Sequence, residues 1–326
     1  MSFVASWCVN DMGQGNQSTV SEFLLRGISH WPEHEQILFG LFLFMYLVIM
    51  VGNLLIFLAI IFEARLHTPM YFFLACLSLA DIGLSSTTVL KMLVNMYTQC
   101  HTISYIGCLT QLYFFLTFGD LDSFLLAVMA YDRYVAICHP LHYTRAMNPK
   151  LCILLVSVCW VLTNLVALTH TLLMAHLSFC MIGEVSQFFC DIGPLLKLSC
   201  SDTHINELMV FAVGGPVMTI PFLCIVASYI HIVLAILRIP SGSGGRRKAF
   251  STCGSHLSVV CVFYGTVLSA YFCPSSVYST EEAASSVVYT VVTPMLNPFL
   301  YSLRNRDMKA ALVSLLKGRL FISQAQ

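Results

Sequence analysis

Charge is what this sequence has least of. Of its 326 residues, 10% are Asp, Glu, Lys or Arg, whereas hydrophobic residues make up 58%. A soluble domain carries charge on roughly 25% of its residues, so the composition excludes an ordinary soluble enzyme and a disordered chain. The 16 basic and 16 acidic residues cancel, so no net positive field exists to attract a nucleic acid. A membrane protein with several spans and short loops is the class that remains.

The sequence also lacks the motifs of membrane enzymes and pumps. It contains no HExxH and no GxSxG pattern, so we expect it not to be an enzyme and to hold no metal or cofactor. A retinal protein needs a lysine in its last span, and residues 283–303 contain none. A multi-span transporter of a small molecule is the alternative function, although the absence of internal repeats and of charged pairs at mid-membrane argues against it.

Seven apolar runs are long enough to cross a bilayer as helices, since about 20 residues span the hydrocarbon core. They predict an all-α membrane protein, a seven-transmembrane helix bundle followed by a short C-terminal interfacial helix. The division is an N-terminal segment (1–36), a seven-transmembrane domain (37–303) and a tail (304–326). Residues 1–36 hold no apolar core for a cleavable signal, so we expect the first span to direct targeting. The runs are 37–62, 70–90, 108–131, 151–175, 208–237, 249–273 and 283–303.

The basic residues predict the orientation. With the N-terminus outside, 13 of the 16 lysines and arginines fall on the cytoplasmic side, as the positive-inside rule requires. The sequon at Asn16 agrees, because glycan is added only on the luminal side. We therefore expect a plasma-membrane protein with an extracellular N-terminus and a cytoplasmic tail.

The tail after the seventh run alternates basic and apolar residues from 305 to 321. This pattern predicts a short amphipathic helix that lies on the inner leaflet, and a frayed cationic tail is the alternative. The expected apolar face comprises Ala310, Leu312, Leu315, Leu316 and Leu320.

The 14 cysteines divide by side of the membrane. Seven lie in spans or on the reducing side, where we expect inert packing. Seven lie on the outer side, where disulfides form: Cys8, Cys100, Cys108, Cys180, Cys190, Cys200 and Cys273. One of the three in the second outer loop could bond to Cys108 while the other two close the loop, but sequence alone leaves the pairing open. Their spacing of ten does not favour zinc.

Polar side chains inside the spans are costly to bury, so they mark functional positions. Asn53, Asp81 and Asn297 could form one polar cluster with water or a cation. Asp122 belongs to a stripe of the third span that faces the bundle interior, since steps of three or four residues share a helix face. Asp120 lies beside that stripe and could contact a polar ligand or bond to a neighbouring helix.

Asp132 and Arg133 end the third span on the cytoplasmic side. The pair could be a local ion pair that holds Arg133, or Arg133 could simply extend to the interface as a snorkelling arginine. His231 and His256, near the cytoplasmic ends of the fifth and sixth spans, are expected to pack or to form hydrogen bonds rather than to bind metal.

Several motifs are specific to one family. They include residues 66–74 (LHTPMYFFL), 129–143 (MAYDRYVAICHPLHY), 248–257 (KAFSTCGSHL) and 294–305 (PMLNPFLYSLRN). In this order the chain resembles the olfactory receptors, rhodopsin-like G-protein-coupled receptors, and their tetrapod-type class in particular. It departs from the pattern at residues 1–11, which resemble an extension before Met12, and at Leu300, where the family often has Ile.

The resemblance implies roles for individual residues. Arg133, flanked by Asp132 and Tyr134, would engage the G protein, while Tyr229 and Tyr301 would rearrange with it as the sixth helix moves. The G protein implied is the stimulatory olfactory type, which raises cyclic AMP. The inner polar network would comprise Asn53, Asp81, Asp122 and Asn297. The implied disulfides are Cys108–Cys190 and Cys180–Cys200.

A ligand pocket is expected in the outer half of the bundle, where helices meet. The expected lining is mostly apolar and aromatic, which suits a small volatile odorant with one or two polar atoms; ordinary helix packing is the alternative for each residue. Glycines and prolines of the fifth and seventh spans are expected pivots. The lining candidates are Leu112, Phe115, Leu116, Gly119, Asp120, Phe211, Val213, Gly214, Val217, Tyr264, Val267, Leu268, Tyr271, Tyr289 and Thr290.

Overall fold

A computed structural model describes residues 21–25, 35–179, 184–238, 244–272, 286–302 and 306–317. Side chains are described for the same residues except 244–252, 255, 269–272, 301, 302 and 306. The predicted sequon at Asn16 lies outside this part of the chain. The described residues include eight helices of ten residues or more: α1 (Glu35–Phe62), α2 (Pro69–Thr98), α3 (Tyr105–Cys138), α4 (Pro149–Ala175), α5 (His204–Leu237), α6 (Gly244–Phe272), α7 (Thr293–Ser302) and α8 (Arg306–Leu316).

Local chemistry explains where several helices begin. Ser104 precedes α3, and its hydroxyl accepts a hydrogen bond from the backbone N–H of Gly107 at 3.1 Å. Asn148 caps α4 in the same way through the N–H of Leu151 at 2.9 Å. Such caps satisfy backbone donors that have no partner inside the helix.

Five of the described helices, α1 to α5, are long and apolar enough to cross a membrane. The seven-span prediction is thus matched in part. In α6 the side chains described without a gap are those of His256–Leu268, and this stretch is apolar. For α7, ten residues are described. The helices are those of a multi-pass helical membrane protein.

The centre of the bundle is formed by α2 and α3. Of their most apolar stretches 61% is buried, against 28% for α1, 22% for α4 and 33% for α5. Helices that are apolar all round yet little buried place their outer faces against lipid. Among the five spans that the structure describes, α2 and α3 are therefore the best shielded from both lipid and water.

The end of the bundle that is predicted to be extracellular carries a small β-sheet, which the all-α prediction did not include. Strand β1 (Glu22–Leu25) lies between β2 (Thr102–Ser104), which is antiparallel to it, and β3 (Glu184–Val185), which is parallel. Phe23 and Leu25 are buried. The strands have two to four residues each and come from three distant segments. They are too short for an alternation of apolar and polar residues to predict them from the sequence. The sheet ties the N-terminal segment to the first and second outer loops.

Two π-helical turns interrupt the helical ladder where pivots were predicted. One is Val210–Gly214 within α5, and the other is Val288–Val292 immediately before α7. Each lies just before a proline, Pro216 or Pro294. A π-helical turn inserts an extra residue, so the helix segments on its two sides are rotated relative to each other.

Glycine allows two close approaches between helices. A Cβ at Gly52 would lie 3.0 Å from Cγ of Pro298, so α1 and α7 meet there. A Cβ at Gly83 would lie 2.5 Å from the ring of Phe118, which packs α3 against α2. The first of these approaches lies beside Asn53, whose amide donates a hydrogen bond to the carbonyl of Pro294.

The amphipathic helix predicted for the tail is α8, but its buried face differs from the one predicted. Ala310 is exposed and Leu316 is 71% exposed, while Leu320 lies outside the described residues. The spacing of three and four residues along α8 selects a different stripe, which joins the inner core that α1, α2 and α3 share. That stripe comprises Met308, Ala311, Leu312 and Leu315.

Candidate functional site

The centre of the candidate site is open space beside Gly119 on α3. Gly119 is buried, yet a Cβ built on it would meet no atom within 4 Å. Protein interiors are normally close-packed, so a buried position with nothing beside it marks a cavity. Phe115 lies one turn toward the outside and Ser123 one turn toward the cytoplasm. These two residues, about 12 Å apart along the helix axis, bound what we call the chamber.

Aromatic rings close the chamber on the outer side. The ring of Phe115 lies 4.8 Å from that of Phe189 in the second outer loop and 5.6 Å from that of Tyr289 before α7. Phe188 packs edge-on against Phe189 at 4.9 Å. We call this group the aromatic roof.

Covalent and polar contacts hold the roof to α3. A disulfide joins Cys108 to Cys190, the residue after Phe189. The side chain of Gln111 accepts a hydrogen bond from the backbone N–H of Cys190 at 2.9 Å and donates one to the carbonyl of Thr87 at 2.9 Å. The second outer loop is thus attached to α3 and α2 directly above the chamber.

A hydroxyl pair closes the chamber on the cytoplasmic side. The hydroxyls of Ser123 and Tyr264 lie 2.7 Å apart and join α3 to α6. The ring of Phe222 on α5 lies 5.0 Å from that of Tyr264. Anything that fills the chamber therefore rests against the contact that joins α3 to α6.

Asp120 is the acidic group nearest to this space. It is 5% exposed, and within the described part of the chain no side chain or backbone group donates a hydrogen bond to it. An electrostatic interaction connects its carboxyl group with Tyr264. Buried polar groups are normally hydrogen-bonded, so this carboxyl group is available to something that enters.

Most of the predicted pocket residues lie in the bundle interior, and two of them lie on its outer surface. Phe211 is 77% exposed and Leu268 is 49% exposed, so both lie on the outer surface, contrary to the prediction. The π-helical turn changes the phase of Phe211, and Leu268 lies 100° round the helix from the buried Val267. The side chain of Tyr271 lies outside the described residues. Buried are Leu112, Phe115, Gly119, Asp120, Tyr264, Val267, Tyr289 and Thr290; half-buried are Leu116, Val213, Gly214 and Val217.

Three contributions to the site were missed in the sequence. The rings of Phe188 and Phe189 belong to a loop whose fold the sequence did not reveal. His170 on α4 is 4% exposed and points at α5, its Nε2 lying 3.7 Å from where a Cβ of Gly214 would be. A histidine inside an otherwise uncharged span was the available signal. Gln111, one turn from Cys108 on the inner stripe, was a signal of the same kind.

Below the chamber, the predicted polar network comes together in part. The amide of Asn297 donates to both oxygens of Asp81, at 2.8 and 3.1 Å. Asn53 donates to the carbonyl of Pro294 at 3.2 Å, a contact that the small Gly52 next to it permits. These bonds join α1 and α2 to α7.

Asp122 lies close to this network without bonding to it. An electrostatic interaction links Asp122 with Asp81, and its Oδ1 is buried without a hydrogen-bond partner in the described region. Among the described residues no group of three His, Cys, Asp or Glu side chains could hold a metal ion.

At the end of α3 that is predicted to be cytoplasmic, the carboxyl group of Asp132 contacts two side chains. Its Oδ2 is 3.9 Å from Nε of Arg133, and its Oδ1 accepts a hydrogen bond from the hydroxyl of Tyr143 at 2.8 Å. The Arg133 side chain is 15% exposed, which favours the ion-pair interpretation over a snorkelling arginine. Burial, with the charge of Asp132 second, raises the pKa of Tyr143, so its phenol remains a donor.

His256 connects α6 with α3 and α5. Its Nε2 lies 3.1 Å from the carbonyl of Leu126 on α3, and its Nδ1 lies 2.8 Å from the hydroxyl of Tyr229 on α5. Since a carbonyl only accepts, Nε2 carries the proton, and Nδ1 of the neutral ring accepts from Tyr229. Electrostatic interactions connect Arg133 with both Tyr229 and His256.

Tyr134 points away from this group. Its hydroxyl lies 3.1 Å from Nε2 of His139, and its ring lies 5.6 Å from that of His231. Arg133 and Tyr134 are therefore neighbours in sequence whose side chains occupy different contacts. The side chain of Tyr301 lies outside the described residues.

The cysteines follow the predicted division. Cys108 and Cys190 form the disulfide that the resemblance implied. Cys200 and Cys100 are also disulfide-bonded, while Cys180 lies outside the described residues, so the Cys180–Cys200 pairing stays a prediction. The free cysteines of the described region are the seven assigned to packing: Cys76, Cys138, Cys152, Cys159, Cys224, Cys253 and Cys261.

Comparison with known proteins decides the family. The olfactory receptor family model matches residues 42–319. This chain belongs to the olfactory receptor family. Human olfactory receptor 1N1 is 67% identical over 94% of this chain and 99% of its own length. Human olfactory receptor 1N2 is 59% identical (95% and 97% covered), and mouse olfactory receptor 1M1 is 58% identical (94% and 98% covered).

Membership places the chain among G-protein-coupled receptors of olfaction, a receptor class and not an enzyme class. It is an odorant receptor and a multi-pass membrane protein.

Proposed function

We propose that this receptor binds a small, mostly apolar volatile molecule in the chamber and activates a stimulatory olfactory-type G protein, which raises cyclic AMP. In this proposal seven helices span the plasma membrane and the N-terminus is extracellular. The observation that carries the proposal is the open space beside Gly119, enclosed between the aromatic roof and the Ser123–Tyr264 pair.

The size and lining of the chamber support a small ligand. Two helical turns of α3 separate the aromatic roof from the Ser123–Tyr264 pair, which we call the floor of the chamber. The walls between them offer aromatic rings with few polar atoms. A ligand pocket of this kind gains affinity from apolar contact and orientation from a small number of polar groups.

The floor supplies a route from ligand to signal. Ser123 and Tyr264 join α3 to α6 under the chamber, and His256 joins the same two helices two turns of α6 below. A ligand shifts a two-state equilibrium only when it contacts the two states differently. A molecule that displaces Tyr264 loosens α6 first at the floor and then at His256, beside Arg133.

A cyclic AMP reporter assay tests the proposal. Cells would express the receptor with the olfactory G protein and a trafficking helper, and an odorant panel would be applied with surface receptor quantified. We expect a concentration-dependent response that Arg133→Ala abolishes while surface expression persists. The matched control is Arg145→Ala, an exposed arginine of the second inner loop, which should retain the response. A normal response from surface-expressed Arg133→Ala would refute the coupling role.

A further inference from the structure

We propose that Asp120 anchors the ligand in the chamber and selects small apolar molecules that end in a hydrogen-bond donor, an amine or a hydroxyl, over those that end in a carboxylate. This inference rests on the proposed function, because it assumes that the chamber is where the ligand binds. It adds the chemical class of the ligand and names the residue that recognises it.

The hydroxyl groups nearest to Asp120 on its own helix make their described hydrogen bonds to other residues. Thr117 and Ser123 lie one turn before and after it and carry the nearest hydroxyls on its own helix. The Thr117 hydroxyl donates to the carbonyl of Tyr113 at 2.9 Å, and the Ser123 hydroxyl is paired with Tyr264. Asp120 is thus 95% buried with its acceptor oxygens unfilled by the described part of the chain.

No cation among the described side chains offsets this acid. The lysines and arginines that the structure describes make no ion pair with Asp120, and the ion pairs of the described region lie at helix ends: Arg65–Glu63, His101–Glu35 and Arg133–Asp132. A buried carboxyl group without donor or counter-charge is costly. An incoming N–H or O–H group removes that cost, whereas a second carboxylate increases it.

The position beside the cavity makes the ligand the available donor. Gly119, the preceding residue, faces space with nothing within 4 Å of a built Cβ, so a molecule there lies next to Asp120. The remaining walls are rings and aliphatic chains, which receive an alkyl or aryl body. One polar end at Asp120 and one apolar body against the roof define a single orientation.

Four six-carbon molecules that differ only in their end group test the inference by binding alone. The full-length receptor, purified in lipid nanodiscs, would be titrated with hexylamine, 1-hexanol, hexanal and hexanoic acid, and its thermal unfolding midpoint followed. We expect hexylamine and 1-hexanol to raise the midpoint at concentrations at least about 10-fold lower than hexanal or hexanoic acid. Asp120→Asn, which is nearly isosteric and uncharged, should weaken hexylamine by at least about 10-fold.

The matched control is Asp122→Asn. It makes the same chemical change two residues further along α3, on the side that interacts with Asp81, so it should keep the wild-type order of ligands. A second variant, Asp120→Leu, removes the polar end completely and should reduce the difference between 1-hexanol and hexanal.

Three results would overturn the inference: none of the four molecules stabilises the wild type, hexanoic acid stabilises it best, or Asp120→Asn keeps the wild-type order. The proposed function fails separately. A receptor that binds hexylamine here but never raises cyclic AMP contradicts the coupling, not the role of Asp120. A receptor that signals while Asp120→Asn keeps the wild-type order contradicts the role of Asp120, not the coupling.

Discussion

The hydroxyl of Tyr229 lies 2.8 Å from Nδ1 of His256, and the two rings are stacked with centroids 5.6 Å apart. One hydrogen bond thus joins α5 to α6, while the other nitrogen of the same ring binds the backbone of α3. Because both ring nitrogens are used, His256 holds α6 against two helices at once. Both partners also interact electrostatically with Arg133.

Replacing His256 with Ala should raise signalling without ligand. The substitution leaves the Leu126 carbonyl and the Tyr229 hydroxyl without this partner, which costs about 1–3 kcal/mol in the packed arrangement. The penalty favours the arrangement in which α6 has moved away. Basal cyclic AMP, normalised to surface receptor, should increase several-fold. The control is His231→Ala, an exposed histidine of α5; equal basal levels in both variants would contradict the assignment.

Filling the chamber should block the ligand. In Gly119→Leu the new side chain occupies the space that now holds no atom within 4 Å, so the receptor should fold while its response to any agonist shifts to concentrations at least about 10-fold higher. Concentration–response curves in the cyclic AMP assay measure the shift. Gly265→Leu is the control, because Gly265 is exposed and also has nothing within 4 Å. A normal curve for Gly119→Leu would show that the ligand binds elsewhere.

Tyr143→Phe should weaken coupling. The raised pKa keeps the Tyr143 phenol protonated, so it shares Asp132 with Arg133. Without that donor, Asp132 interacts more strongly with Arg133 and retains it. A bond worth about 1 kcal/mol corresponds to roughly a fivefold loss of agonist potency. G-protein activation in membranes is the readout, and Tyr131→Phe, an exposed tyrosine of α3, is the control that should keep wild-type potency.

Gly83→Ala should destabilise the fold itself. The added Cβ would lie 2.5 Å from the ring of Phe118, and overpacking of this kind costs about 1–3 kcal/mol. The thermal unfolding midpoint of the purified receptor should fall. At Gly40 a Cβ meets nothing within 4 Å, so Gly40→Ala should not lower it. Equal midpoints for the two variants would mean that Phe118 moves aside freely.

The sequence predicted what periodicity and membrane physics control. Apolar runs located α1 to α5, since the hydrocarbon core demands about 20 apolar residues per span. The predicted starts lie within four residues of the observed ones, but α2 and α3 end at Thr98 and Cys138, eight and seven residues beyond the predicted ends. Polar residues inside the runs pointed to Asp81, Asp122 and Asn297, which the structure places close together. Family motifs indicated Arg133 and the Cys108–Cys190 disulfide.

The sequence did not predict which face of each helix points inward or which loops contact each other. Phe211 and Leu268 were predicted to line the pocket, but an irregular turn and a rotation of one residue place them outside. In α8 the stripe that packs against the bundle includes the predicted Leu312 and Leu315, but also Met308 and Ala311, which were not predicted. The β-sheet joins three short strands from distant segments, and a strand of two residues such as Glu184–Val185 leaves no pattern to detect.

For this receptor, the amino-acid sequence by itself determined the class of molecule, the helical spans and the chemistry carried into the membrane, because those depend on composition and on local repeats. Tertiary structure decided which side chains meet. It left Asp120 without a donor among the described residues, opened the space beside Gly119 and connected His256 to both Tyr229 and Leu126. Such relationships arise from the packing of helices that are far apart in the chain, and no local pattern encodes them.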